Sequence, residues 1–187
     1  MQNFSTLRLC TPRLELHPLE IGDETRLFEI YSDPEFMRYW SCVPWTEVDQ
    51  GVTMIRADKA AMESGEYIAL GIYRQTDQRL VGTCCLFKIY EPCRRAELGY
   101  GIARDSWRRG YMTEAISALM DYGFVDMGLN RLEADVDPRN TASCRSLENL
   151  GFVQEGLLRQ RWIAGKETSD SAIYGLLASD WRNRDHS

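Results

Sequence analysis

Past Pro12, Leu14 and Leu16 alternate with polar positions and Leu19 can extend the run, a period of two that predicts a first strand. A helix follows in which Asp23 is placed to cap, Leu27, Ile30 and Tyr31 share a face, and Pro34 marks the end. The second helix is announced by Thr46 three residues before Asp49, the spacing of a capping box, and by Val48, Val52, Ile55 and Met62 at helical intervals. Residues 66–72, 80–90 and 96–102 read as three strands, the first two joined by a polar turn at 75–78, and together predict an antiparallel meander. The period then becomes helical through Met112, Ile116, Leu119, Met120 and Phe124 to about Met127, with Gly128 as the stop. Leu132, Ala134 and Val136 alternate with Arg131, Glu133, Asp135 and Asp137, as in a strand with one buried face. Asn140 caps a further helix ending near Gly151, and strand-like runs at 152–163 and 171–177 complete a mixed α/β pattern without repeat, low-complexity segment or linker.

The length of 187 residues suits one domain with a full core, so residues 1–187 are expected to form a single unit. Hydrophobic residues at 44% and charged residues at 27% match folded globular chains and leave no segment with the composition of a disordered tail. No apolar run has bilayer-spanning length and the first residues lack the basic and apolar regions of a signal peptide, so a cytoplasmic protein with no membrane partner is expected. The six cysteines, at 10, 42, 84, 85, 93 and 144, show neither metal-ligand spacing nor scaffold density, which predicts reduced, mostly buried thiols. With His17 and His186 as the only histidines, a Cys–His nucleophile pair and a histidine-rich metal site are both disfavoured, and no metal is expected. A net charge of −6 repels nucleic acid and favours a basic substrate.

The chemistry concentrates at residues 103–115, between the strand ending at Ile102 and the helix beginning near Gly110. The first amides of a helix lack internal partners and sit at the positive end of its dipole, so such a junction can cradle a phosphate or pyrophosphate. Arg104, Arg108 and Arg109 add positive charge there, in an otherwise acidic chain. The pattern equally suits an ordinary helix start with solvated arginines, and neither G-x-x-x-x-G-K-[ST] nor G-x-G-x-x-G is present.

The run Trp107-Arg108-Arg109-Gly110-Tyr111-Met112-Thr113-Glu114-Ala115 resembles the acetyl-coenzyme A pyrophosphate loop of the GNAT superfamily, in the form found in ribosomal-protein N-terminal (Rim-type) acetyltransferases. Glu97-Leu98-Gly99-Tyr100 resembles the family's fourth strand. Asn140 to Ser143, followed by Leu147-Glu148-Asn149-Leu150-Gly151-Phe152, resembles its later signature, and the likeness spans about residues 12–181. Trp107 and Met112 depart from the superfamily's Q/R-x-x-G-x-G/A loop at its first and last positions. The resemblance implies a central, mostly antiparallel twisted sheet, splayed between strands 4 and 5 and flanked by helices, with acetyl-coenzyme A as cosubstrate. It implies that Gly99, Tyr100, Gly101 and Ile102 lie beside the pantetheine arm, that Arg108, Arg109, Gly110, Tyr111, Met112 and Thr113 form the pyrophosphate cradle, and that Asn140 and Ser143 face the cofactor. For Gly99 and Gly101 a kinked strand is the alternative.

Amide formation from a thioester needs a neutral amine, a polarised carbonyl and a donor to the departing thiolate, whose free pKa is about 8.5. Ser143, on the first turn of the helix capped by Asn140, is the candidate donor to sulfur, with a purely capping serine as the alternative. Glu97, two residues before Gly99, is the candidate base; an exposed surface glutamate is the bland alternative. Some members of the family use a later glutamate, and Trp162 stands at the comparable position; Arg159 and Arg161 nearby cannot replace it. Trp40 and Trp45 are candidates to wall the acceptor pocket, or to pack in the core. The expected acceptor is a protein N-terminal α-amine, such as that of a ribosomal protein. The alternatives are a small amine of the polyamine or aminoglycoside kind, or a sensor that binds acetyl-coenzyme A without turnover. Either a monomer or a homodimer is compatible with the sequence.

Overall fold

The computed structural model describes residues 2–183; His186 lies outside them. Eight strands form one sheet in the order β1-β2-β3-β4-β5-β6-β8-β7. They are β1 (Leu9–Cys10), β2 (Leu14–His17), β3 (Ile68–Arg74), β4 (Arg79–Tyr90), β5 (Arg95–Ile102), β6 (Arg131–Val136), β7 (Val153–Ala164) and β8 (Glu167–Leu177). Neighbours pair antiparallel except β5 and β6, which are parallel because α4 (Tyr111–Asp121) crosses between them. The remaining helices are α1 (Glu24–Tyr31), α2 (Pro34–Met37), α3 (Asp49–Ser64), α5 (Thr141–Asn149) and α6 (Ala178–Asn183).

The interior holds two hydrophobic clusters, and strand periodicity sends neighbouring residues of the central strands to one or the other. Ile72, Val81 and Ile102 point to the core under α4, with Ile116 and Leu119, while their neighbours Tyr73, Leu80 and Ala103 point to the core under α1 and α3, with Leu27 and Ile55. β6 keeps the alternation expected of it, with Leu132, Ala134 and Val136 buried. The meander, the π-helical extension of α4 at Tyr122–Asp126 and the stop at Gly128 (φ +64°) also follow the sequence pattern.

Several local expectations are corrected. α1 ends at Tyr31, and Pro34 opens α2 instead of closing α1, since its missing N–H is harmless at the first helical position. Asp23 stands at the N-cap position but its carboxylate accepts from Tyr73 Oη (2.6 Å) and the Glu20 amide (2.9 Å), not from the helix. No Thr46–Asp49 capping box forms; Gln50 Oε1 instead accepts from the Thr46 and Glu47 amides at 2.8 and 3.1 Å. All six cysteines are free, but Cys10, Cys42 and Cys93 are exposed, because they lie on an edge strand, in the segment before α3 and in the turn after β4. β1 and α6 were not legible in the pattern. Among the described residues no helix is long and apolar enough to cross a membrane.

Candidate active site

The parallel β5–β6 ladder runs only over Arg95↔Arg131, Ala96↔Leu132 and Glu97↔Glu133. Its paired end is clasped by charge: Glu133 takes Arg95 (3.0 Å) and Arg131 (2.8 Å), and Arg131 continues to Glu155 (2.9 Å). Beyond Glu97 the two strands part, and a cavity of about 580 Å³ reaches into the split, lined by Gly99 and Tyr100 of β5 and by Ala134, Asp135 and Val136 of β6.

The period of two sends successive β5 residues to opposite sides of this opening. Glu97, Gly99 and Gly101 face α1–α3. A Cβ on Gly101 would come within 2.6–2.9 Å of the Phe36 and Trp40 rings, so glycine lets this aromatic group rest on the strand. Tyr31 stacks on Trp45 at 4.6 Å and meets Trp40 edge-on at 5.4 Å, with its hydroxyl held 2.8 Å from Thr83 Oγ1. Both tryptophans line the cavity while also packing against the second core. Leu98, Tyr100 and Ile102 face the other way, and there Tyr100 Oη lies 2.7 Å from Ser143 Oγ. Asn140 Oδ1 accepts from the Ser143 amide (3.1 Å), so Asn140 is the N-cap of α5 and the Ser143 hydroxyl is left to Tyr100. Burial pushes Tyr100 up to about 12, which keeps its hydroxyl protonated.

At the far end of β5, Arg108 (φ +59°) and Gly110 (φ +76°) turn the chain into α4. Arg108, Arg109, Gly110 and Thr113 are exposed at this helix start, whereas Tyr111 is buried and Met112 packs against the main core. Trp107 donates its indole N–H to the Ile102 carbonyl (2.6 Å), tying the loop to the strand. Arg13 braces the loop from β2's side, donating to the Arg109 carbonyl (2.9 Å) and to Glu114 (2.6 Å) and lying 5.0 Å over the Tyr111 ring. Gly110→Asp would put a carboxylate at this amide-rich turn, and it is expected to weaken coenzyme A binding by more than about tenfold in calorimetry, with circular dichroism unchanged.

Four carboxylates line the cavity, and three are already engaged. Glu97 accepts from Lys88 Nζ through both oxygens, each at 2.9 Å, so the candidate base is an ion-paired group rather than a free one. Asp135 accepts from Arg161 (2.9 Å), from the Trp162 indole (3.2 Å) and from Ser171 Oγ, which gives Trp162 an acidic neighbour from β6. Asp137 accepts from Arg139 (2.9 Å); burial pushes it up, but the guanidinium and the Arg139 amide outweigh this and hold it below the usual carboxylate range. The fourth, Asp58 of α3, was missed in the sequence. Its Oδ2 is buried with no hydrogen-bond partner among the described residues, and burial lifts the group from 3.8 to about 7. A signal was available: Asp58 falls three residues after Ile55 and four before Met62, on the buried stripe of α3.

Residues 13–153 match the family model described as an acetyltransferase (GNAT) domain. N-acetyltransferase p20 of Bacillus licheniformis, itself uncharacterized, is 36% identical over 173 residues, covering 92% of this chain and 97% of that one. The spermidine N(1)-acetyltransferase of Escherichia coli is 28% identical over 162 residues, covering 82% and 80%. Among solved structures, a Vibrio cholerae protein provisionally described as a ribosomal-protein-serine acetyltransferase superposes with a TM-score of 0.82 at 25% identity, over 95% of this chain and 99% of that one.

Proposed function

Given that the chain belongs to the GNAT acetyltransferase family, we propose that it transfers acetyl from acetyl-coenzyme A to the N-terminal α-amine of a protein, such as a ribosomal protein. The β5–β6 split suits a narrow arm, and the α4 start, with Arg108 and Arg109 exposed around Gly110, suits a pyrophosphate. When bound, acetyl-coenzyme A supplies the activated acyl group. Ser143 donates to the departing sulfur and is backed by Tyr100, while Trp40, Trp45 and Tyr31 wall the acceptor side.

The observation that carries the acceptor class is the charge pattern of the cavity. Glu97, Asp135 and Asp137 are neutralised by Lys88, Arg161 and Arg139, leaving Asp58 as the one lining carboxylate without a cation among the described residues. One free carboxylate beside an aromatic wall matches a single ammonium, as at the start of a polypeptide. A polyamine would bring several ammonium groups to one partner. The α-amine is also the easier nucleophile, since its pKa of about 7.7–8.0 lies far below the value of about 10.4 for lysine.

The test is mass spectrometry of a ribosomal-protein mixture and of matched peptides with the α-amine or the lysine blocked, alongside spermidine. Acetylation of the α-amine alone is expected. Acetylation that persists on lysine with the α-amine blocked, or that is confined to spermidine, would overturn the acceptor class.

A further inference from the structure

We propose that Asp58 is a catalytic residue on the acceptor side, its carboxylate receiving the substrate ammonium and taking the proton that frees the nucleophile. The inference rests on the acetyltransferase reading above and assigns within it the base that Glu97, bound at both oxygens to Lys88, is poorly placed to supply.

Asp58 lines the same cavity as Gly99 and Ser143. It is close enough to Cys85, the ladder partner of Gly99, to interact with it electrostatically. Its helix packs on α1 and β3 and puts Ile55 into the second core, whereas Tyr100, paired with Ser143 of α5, packs against the main core. An acyl group held in the split is therefore approached by amine and carboxylate from one side and by the Ser143 hydroxyl from the other. A buried carboxylate oxygen without a donor is costly to retain in a fold, and an ammonium is the group that would satisfy it.

No neighbour competes for the role. Among the described residues, Tyr31 from α1, Tyr67 before β3 and Cys85 from β4 are the titratable groups that interact with Asp58. Burial pushes all three up, Cys85 to about 12, so they stay neutral around pH 7. The other charges in the cavity are the closed pairs Lys88–Glu97, Arg161–Asp135 and Arg139–Asp137.

The step balances as follows. The Asp58 carboxylate takes one proton from R–NH3+, and the freed lone pair forms the C–N bond at the thioester carbon. The C–S bond breaks, and sulfur leaves with its electron pair. Of the two protons that nitrogen loses, one rests on Asp58 and passes to solvent, and the other replaces the proton that Ser143 gives to sulfur. The products are the N-acetyl amine, the free thiol and one proton.

Asp58→Asn keeps the shape and removes the charge. With acetyl-coenzyme A and an α-amino peptide at pH 7, kcat/KM followed by thiol release is expected to fall about 10²-fold or more. The wild-type rise in kcat/KM through pH about 7 should vanish in the variant, whose rate then follows the amine's own titration near about 8. A second arm needs no turnover. In calorimetry with coenzyme A present, the variant should bind the α-amino peptide at least about tenfold more weakly than wild type and bind its N-acetylated form equally well. If wild type acetylates only spermidine, the α-amine reading fails, and Asp58 is judged by the same measurements on spermidine. Unchanged kcat/KM and pH profile, equal loss of affinity for both peptide forms, or wild-type protein that binds no amine in the second arm would each overturn the assignment.

Discussion

Replacing Ser143 by alanine is expected to lower kcat about 10²–10³-fold while leaving acetyl-coenzyme A affinity nearly unchanged, the pattern of a donor used only as charge develops. A serine on the first turn of a helix ordinarily has a cap to make. Here that duty belongs to Asn140, whose Oδ1 accepts from the Ser143 amide at 3.1 Å. The Ser143 hydroxyl is instead 2.7 Å from Tyr100 Oη. Tyr100 is raised to about 12 by burial and keeps its proton at neutral pH, so it can donate to Ser143 Oγ and leave the serine proton for the departing sulfur. The positive end of α5 favours the same developing charge. Tyr100→Phe should accordingly cost less than Ser143→Ala, on the order of tenfold, because Ser143 then loses its support but not its proton. Steady-state thiol release gives kcat, and calorimetry gives the affinity. An alanine variant with wild-type turnover would reduce Ser143 to a helix ornament.

Sequence pattern carried the sheet well where periodicity and punctuation agreed. Strands at 80–90 and 96–102 differ by one residue at most from β4 (Arg79–Tyr90) and β5 (Arg95–Ile102), since alternation and the turn between them mark both ends. Asn140 was legible as a cap because its side chain acts within three residues. What escaped depends on residues far apart in the chain. Lys88 reaches Glu97 across a hairpin whose register shifts between Phe87 and Tyr90, and no local spacing announces that pair. Arg13 meets Arg109 and Glu114 only after the sheet has formed. Asp23 and Thr46 carried genuine cap signals, but Tyr73 claimed the first and Gln50 displaced the second. Asp58 is a different case, because a charge on the buried face of a helix breaks the local rule. Such breaks concentrate where function overrides folding.

Asp58→Asn is also expected to stabilise the fold, by an amount that grows with pH. Burial without a partner raises the carboxyl from 3.8 to about 7, so between those values the unfolded chain has released a proton that the folded chain keeps. Folding stability therefore declines as pH rises through that window and stays at its reduced level above about 7, while below 3.8 the group is protonated in both states and contributes nothing. The separation sets a ceiling of about 4 kcal/mol, and water in the cavity lowers the realised cost to about 1–3 kcal/mol. Asparagine resembles the protonated acid at every pH and escapes this cost. For a chain of this size 1 kcal/mol corresponds to about 2–4 °C. The advantage in Tm should thus be slight near pH 4 and reach about 2–12 °C at pH 8, as read by scanning calorimetry at both values. An advantage that does not change with pH would show that charge is not what the site penalises. Taken with the kinetics, the direction of the change is decisive: a carboxylate kept for structure loses stability and activity together when replaced, whereas one kept for chemistry yields a variant that is firmer and slower.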